Sequence, residues 1–104
     1  MNKQYILDKI RKLKPKYEKE GVILLGLFGS YAKDTADENS DIDLLYKLDA
    51  DKFLENHKGF TGFTRLLTIQ EELKNTFHKN IDLCTINGNN KTFNKYALAD
   101  AIYV

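Results

Sequence analysis

Two aspartates one residue apart, Asp41 and Asp43, stand at the head of the otherwise apolar run DIDLLYKL. Successive side chains of a strand alternate faces, so the pair shares one face, roughly 7 Å apart along the backbone. Ile42, Leu44 and Tyr46 take the other face. Ionised carboxylates side by side repel and raise one another's pKa unless a cation lies between them. A hard divalent ion removes that repulsion, and Mg²⁺ is satisfied by one or two protein carboxylates plus substrate phosphate and water. A strand that only had to fold has no use for such a pair.

The spacing alone does not decide the matter, because an isolated Asp-x-Asp more often marks a loop or a solvent-facing strand end. A calcium-binding EF-hand loop is excluded, since Leu45 and Tyr46 stand where its fifth-position ligand and turn glycine belong. A third aspartate, Asp82, sits in a similar apolar context in NIDLCTI. If that strand pairs beside the DIDLLYKL strand, Asp82 can face the same side as Asp41 and Asp43. Three such carboxylates suit two-metal phosphoryl transfer, with ions ~3.5–4 Å apart clamping the attacking and leaving oxygens.

What precedes the pair sharpens the reading. VILLGLFG, Val22 to Gly29, is an apolar run of strand length, suited to a strand covered on both faces. Gly29-Ser30 ends it and opens a short helix through Tyr31, Ala32 and Lys33, for which Ser30 is a good N-cap. Backbone N–H groups at such a turn attract anions, and glycine lets a phosphate approach closely. A phosphate cradle eleven residues before Asp41 is a more specific signal than either feature alone.

The remaining chain supplies alternating elements. Residues 3–20 read as an amphipathic helix with Ile6, Ile10, Leu13 and Tyr17 on one side, broken near Lys14 by Pro15 and ended by Gly21. After the second strand comes a polar segment. Residues 61–79 form the longest helix, with Phe63, Leu66, Leu67, Leu73 and Phe77 inward, followed by the strand Asn80 to Ile86 and an Asn87-Gly88 turn. Residues 91–101 read as a final short helix packing Phe93, Tyr96, Ala97 and Ala99. The alternation predicts an α/β (α+β) fold, a small mixed sheet with helices mainly on one face.

Composition narrows the function. At 104 residues the chain is expected to be one domain, spanning 1–104. Sixteen basic residues against fifteen acidic ones give no global field for nonspecific nucleic-acid binding. The single cysteine, Cys84, excludes an internal disulfide and a multi-cysteine zinc site. No apolar run approaches the ~20 residues needed to cross a membrane, and no signal peptide is visible, so a cytoplasmic location is expected. His57 and His78 read as surface residues, Cys84 as packing, and Tyr31 as part of a helix face partly in solvent. The lysines of residues 3–19 read as the solvated side of a helix.

GSYAKDTADENSDIDLLY resembles the signature of the polymerase-β-like nucleotidyltransferase superfamily: Gly-Ser, a spacer of about ten residues, Asp-x-Asp, and a third carboxylate on a later strand. The likeness covers essentially the whole chain, and its size is similar to that of the minimal nucleotidyltransferases (MNT), antitoxin partners in HEPN–MNT toxin–antitoxin pairs. The resemblance implies that Gly29 and Ser30 hold the triphosphate of ATP, with Lys33 a further nucleotide contact. Asp41, Asp43 and Asp82 would be the catalytic set and ligate Mg²⁺, two ions in all, with Asp82 binding the second or taking the proton of the acceptor hydroxyl. It also implies transfer of AMP to a macromolecular hydroxyl, a tyrosine of a HEPN toxin, since the chain lacks the length for an acceptor domain. Alternatives are an RNA or small-molecule (antibiotic-type) nucleotidyltransferase, with a homo-oligomer building the acceptor site, and a catalytically silent antitoxin that acts by binding. One position departs from the pattern: Asp34 stands where the family commonly has Gly, adding negative charge near the phosphate site and demanding an unusual backbone.

Overall fold

The computed structural model describes residues 2–56, 61–85 and 101–104. Helix α1 spans Lys3–Glu18, opened by Asn2, whose side chain accepts from the Tyr5 amide at 2.9 Å. Pro15 does not break this helix. It lies in the last turns, where Lys19 N–H still reaches the Pro15 carbonyl at 3.4 Å. Its missing N–H forfeits one bond, to Arg11, and both residues are exposed, so water can serve the orphaned carbonyl. Gly21, at φ +86°, ends the helical segment.

Strand β1 (Val22–Phe28) runs antiparallel to β2 (Ile42–Leu48), with short helix α2 (Gly29–Ala32) between them. Strand β1 is not covered equally on both faces. Val22, Leu24 and Leu27 are buried, whereas Ile23, Leu25 and Phe28 are only half-buried. The pairing slips between Leu24 and Gly26, which makes Leu25 a bulged residue and moves the buried set from even to odd positions. The Leu25 carbonyl accepts instead from Val104 N–H at 2.9 Å, beside β4 (Ile102–Tyr103). That strand was not expected from the sequence. The helix read over residues 91–101 lies almost wholly outside the described residues, and Ala101 is not helical.

The polar segment after β2 begins with helix α3 (Ala50–Asn56), to which the sequence reading assigned no element. It buries one large side chain, Phe53, too little for an amphipathic period to be seen in seven residues. Helix α4 (Thr61–Phe77) then leads to β3 (Ile81–Thr85), which pairs parallel with β2. The sheet order is β3-β2-β1-β4. One face of this mixed sheet packs Ile42, Leu44 and Tyr46 against Ile6, Ile10 and Tyr17 of α1 and Ile69, Leu73 and Phe77 of α4. Phe63 and Leu67, read as inward-facing, are 69% and 52% exposed, and Ile69 takes their place in the core. Both stand about a third of a turn away from the Ile69–Leu73–Phe77 line.

An ionic clasp ties α4 to the end of α1. The Arg65 guanidinium grips both oxygens of Glu20 at 2.7 Å and reaches Glu72 at 2.9 Å. Tyr17, buried, donates its hydroxyl to Glu72 at 3.2 Å. Burial, and then the Glu72 charge, push Tyr17 up to about 12. No helix among the described residues is long and apolar enough to cross a membrane.

Candidate active site

The site lies where β1 ends and β2 and β3 begin. Asp43 has Phe28 opposite it on one neighbour and Asp82 opposite it on the other. In a parallel pair, residues in register point to the same face, so the two carboxylates project together. Two carboxylates held side by side repel, so the more buried one, Asp43, is harder to ionise. Burial raises Asp43 most, the neighbouring Asp82 next and Asp41 last, bringing it to about 6.

The glycine of the Gly-Ser turn lies directly against Asp43. Gly29 has φ +75°, and a Cβ there would overlap the Asp43 carboxylate. Its missing side chain is therefore needed twice, for the left-handed backbone and for the room Asp43 occupies. Ser30 is not the N-cap; the helix already includes Gly29, and extended Phe28 precedes it without a side-chain cap. The Ser30 carbonyl accepts the Thr35 amide at 2.9 Å, which folds the chain back after α2. Its hydroxyl has no hydrogen-bond partner among the described residues and remains available to an anion.

Lys33 is exposed at the C-terminal end of α2. Asp34 follows at φ +62°, the left-handed backbone a glycine would adopt freely, and pairs with Lys3 of α1 at 2.9 Å. Tyr31 is buried, at 6% exposure, rather than solvent-facing, and lies under the Lys79 ammonium, 5.9 Å from its ring centroid. Cys84 shares the Asp82 side of β3, and burial followed by Asp43 and Asp82 pushes its thiol up, so it is no nucleophile. His78 is exposed, and His57 lies outside the described residues.

Asp41 precedes β2 and is exposed. Among the described residues no three His, Cys, Asp or Glu side chains are arranged as a ready metal-holding group. The structure thus brings Asp43 and Asp82 together and leaves Asp41 at the edge. The donor set still fits a divalent ion. Two hard carboxylates held side by side would be relieved by a cation between them, leaving the other positions for phosphate and water, as Mg²⁺ prefers.

Two clefts flank Asp41, of about 420 Å³ and about 530 Å³, and both are also lined by Lys74 and Asn80. Asp82, Leu67 and Gln70 line the smaller one, and His78 and Lys79 the larger. Sequence reasoning did not single out Lys74, Gln70 or Asn80. Nothing in their spacing marks them; only the parallel docking of β3 on β2 carries the end of α4 to Asp41.

Similarity to known proteins agrees with this geometry. The family described as Polymerase beta, Nucleotidyltransferase matches residues 9–104. A relative from Methanocaldococcus jannaschii, named "Putative protein adenylyltransferase MJ0435", is 31% identical over 94 residues, covering 90% of this chain and 91% of its own. The fold is shared with a solved "putative minimal nucleotidyltransferase", at TM-score 0.71 and 20% identity, over 100% of this chain and 97% of the other. It is shared also with a chain from a "toxin-antitoxin with AMP-PNP" crystal structure, at TM-score 0.57 and 20% identity, over 99% and 72% of the two chains. With the family's Gly-Ser turn set against a carboxylate pair, the chain belongs to the polymerase beta nucleotidyltransferase family and is a nucleotidyltransferase.

Proposed function

We propose that this chain transfers AMP from ATP to a hydroxyl of a separate protein, a tyrosine of a HEPN-type toxin, and thereby acts as its antitoxin. The observation that carries the chemistry is the Asp43–Asp82 pair with the Gly29 backbone packed against it. The relative described as a protein adenylyltransferase supports AMP as the group moved and protein as the acceptor. The toxin–antitoxin fold neighbour supports the kind of partner.

In this reading the turn at Gly29 and Ser30 binds the triphosphate through backbone N–H groups and the free serine hydroxyl, and Lys33 adds a positive charge from the end of α2. Asp43 and Asp82 would hold Mg²⁺, with Asp41 contributing a third carboxylate from the edge of β2. When bound, Mg²⁺ neutralises charge on the triphosphate and on the departing pyrophosphate. Asp82, the more exposed of the pair, accepts the proton of the acceptor hydroxyl. The acceptor oxygen forms a bond to the α-phosphorus as the bond from that phosphorus to the bridging oxygen breaks, and pyrophosphate leaves. Alignment and charge neutralisation supply most of the rate.

The test compares the natural protein with Asp43→Ala in lysate of the source cell, supplied with α-labelled ATP and Mg²⁺. Label in a protease-sensitive band that the variant fails to produce is the expected result. Label in a nuclease-sensitive band would instead make RNA the acceptor. Equal labelling by the variant would remove Asp43 from the chemistry.

A further inference from the structure

The two clefts at Asp41 share Lys74 and Asn80 and so adjoin, as two halves of one surface at the end of α4. Asp82 opens into one half; Lys74 and Lys79 flank the other. Some charges around α1 and α4 are matched: Arg65 with Glu20 and Glu72, Lys16 with Glu72, Lys3 with Asp34. The lysines that line the clefts are not. Among the described residues neither Lys74 nor Lys79 has an ion-pair partner. Lys79 donates to the Glu38 backbone carbonyl at 2.8 Å, which orients its ammonium without neutralising it. Asn39, Asn75 and Asn80 add amide donors to the same half.

We propose that the half flanked by Lys74 and Lys79 seats an acidic side chain of the acceptor protein, beside the hydroxyl residue that enters the Asp82 half. The enzyme would then select hydroxyl residues with a neighbouring Asp or Glu. This rests on the adenylyltransferase reading and adds the acceptor class to it. Charge complementarity favours a peptide over RNA. Glu38 and Asp41 line the same half, so a single carboxylate can lie between the two ammonium groups, whereas a phosphate backbone carries a charge at every nucleotide past those acids. The overall charge of +1 offers RNA no compensating field.

The experiment offers α-labelled ATP, Mg²⁺ and two defined acceptors, random Glu-Tyr and Lys-Tyr copolymers, with an unlabelled RNA oligonucleotide as competitor. Labelling of the Glu-Tyr polymer is expected to exceed that of the Lys-Tyr polymer by about tenfold, the scale of two partly exposed ion pairs. Lys74→Glu alone should narrow the ratio, Lys74→Glu with Lys79→Glu should invert it, and Lys74→Arg should keep it. Circular dichroism establishes that each variant is folded, and calorimetry follows Mg²⁺–ATP binding in parallel. Equal labelling of the two polymers, a ratio unmoved in the folded double variant, or suppression by RNA at low concentration overturns the proposal. If neither polymer is labelled while Mg²⁺–ATP still binds, the acidic-acceptor inference falls and the nucleotide reading stands. If Mg²⁺–ATP does not bind either, the nucleotide reading falls as well.

Discussion

Asp43 and Asp82 occupy the same register position on two parallel strands, with their side chains on one face of the sheet. The juxtaposition has a pH signature. Asp43 is raised from 3.8 to about 6, so the folded state binds this proton more tightly than the unfolded chain. Its contribution to stability is whole below the unfolded value and is lost as pH rises through about 6. Discounted for the screening of a half-exposed group, the loss is about 1 kcal/mol. Asp43→Asn cannot ionise. Its melting temperature relative to wild type should therefore rise by roughly 4–8 °C between about pH 4.5 and about pH 7.5, in the absence of divalent ions. A difference that stays flat across that range would show that folding does not raise the Asp43 carboxyl.

A divalent ion held at the pair would compete with the Asp43 proton. Mg²⁺ affinity measured by calorimetry should climb as pH passes through about 6, with proton release on binding. Asp82→Asn should lower that affinity by at least about tenfold, which is ~1.4 kcal/mol. Unchanged affinity would place the ion elsewhere.

Gly29 is the point where the turn and the carboxylate meet. Gly29→Ala forces a Cβ into the space of the Asp43 carboxylate at φ +75°. The backbone alone costs about 1–2 kcal/mol in that conformation, and Asp43 must also move. Urea denaturation should show a loss of about 2 kcal/mol, with AMP transfer falling more steeply than stability explains. Near-wild-type transfer in this variant would mean that Asp43 tolerates displacement.

Asp34 sets the opposite case, a side chain where glycine would be relaxed. Asp34→Gly relieves left-handed strain of about 1 kcal/mol, but it loses an exposed pair with Lys3 worth at most about that much. Stability should stay within about 0.5 kcal/mol of wild type. ATP affinity should rise, because a negative charge leaves the end of α2. Lys3→Ala alone should weaken ATP binding by unmasking Asp34, and should be silent once Asp34→Gly is present. A Lys3 effect that survives in the double variant would assign Lys3 a contact of its own.

What the residues announced and what they hid divide along physical lines. The β-strand period is two, so Asp41, Asp43 and Asp82 could be given faces from spacing alone. The apolar runs of β1, β2 and β3 were long enough to be seen. Pro15 misled because its cost depends on whether the orphaned carbonyl meets water, a property of the surface and not of the local sequence. Phe63 and Leu67 misled for a related reason, since an apolar residue one position off the packing line keeps its composition and loses its contacts. Lys74 and Asn80 were illegible because only the β2–β3 register joins them to Asp41.

Arg65 holds the helical layer together at a distance from the carboxylates, and its removal separates folding from chemistry. Its guanidinium answers Glu20 and Glu72 at once, both partly buried. Arg65→Met keeps the aliphatic stem but leaves two acids facing each other and Tyr17 bonded to an unneutralised Glu72. Breaking a partly buried, charge-assisted network of this kind costs about 2–3 kcal/mol, or a drop in melting temperature on the order of 10 °C or more. The loss should shrink at low pH, where Glu72, held below its ordinary value in the wild type despite burial because Arg65 faces it, becomes protonated. At temperatures below the melting transition, Mg²⁺–ATP affinity should be unchanged, since the clasp lies between α1 and α4 and not at the Gly29 turn. A melting temperature within about 2 °C of wild type would show that the clasp contributes no more than an ordinary surface pair.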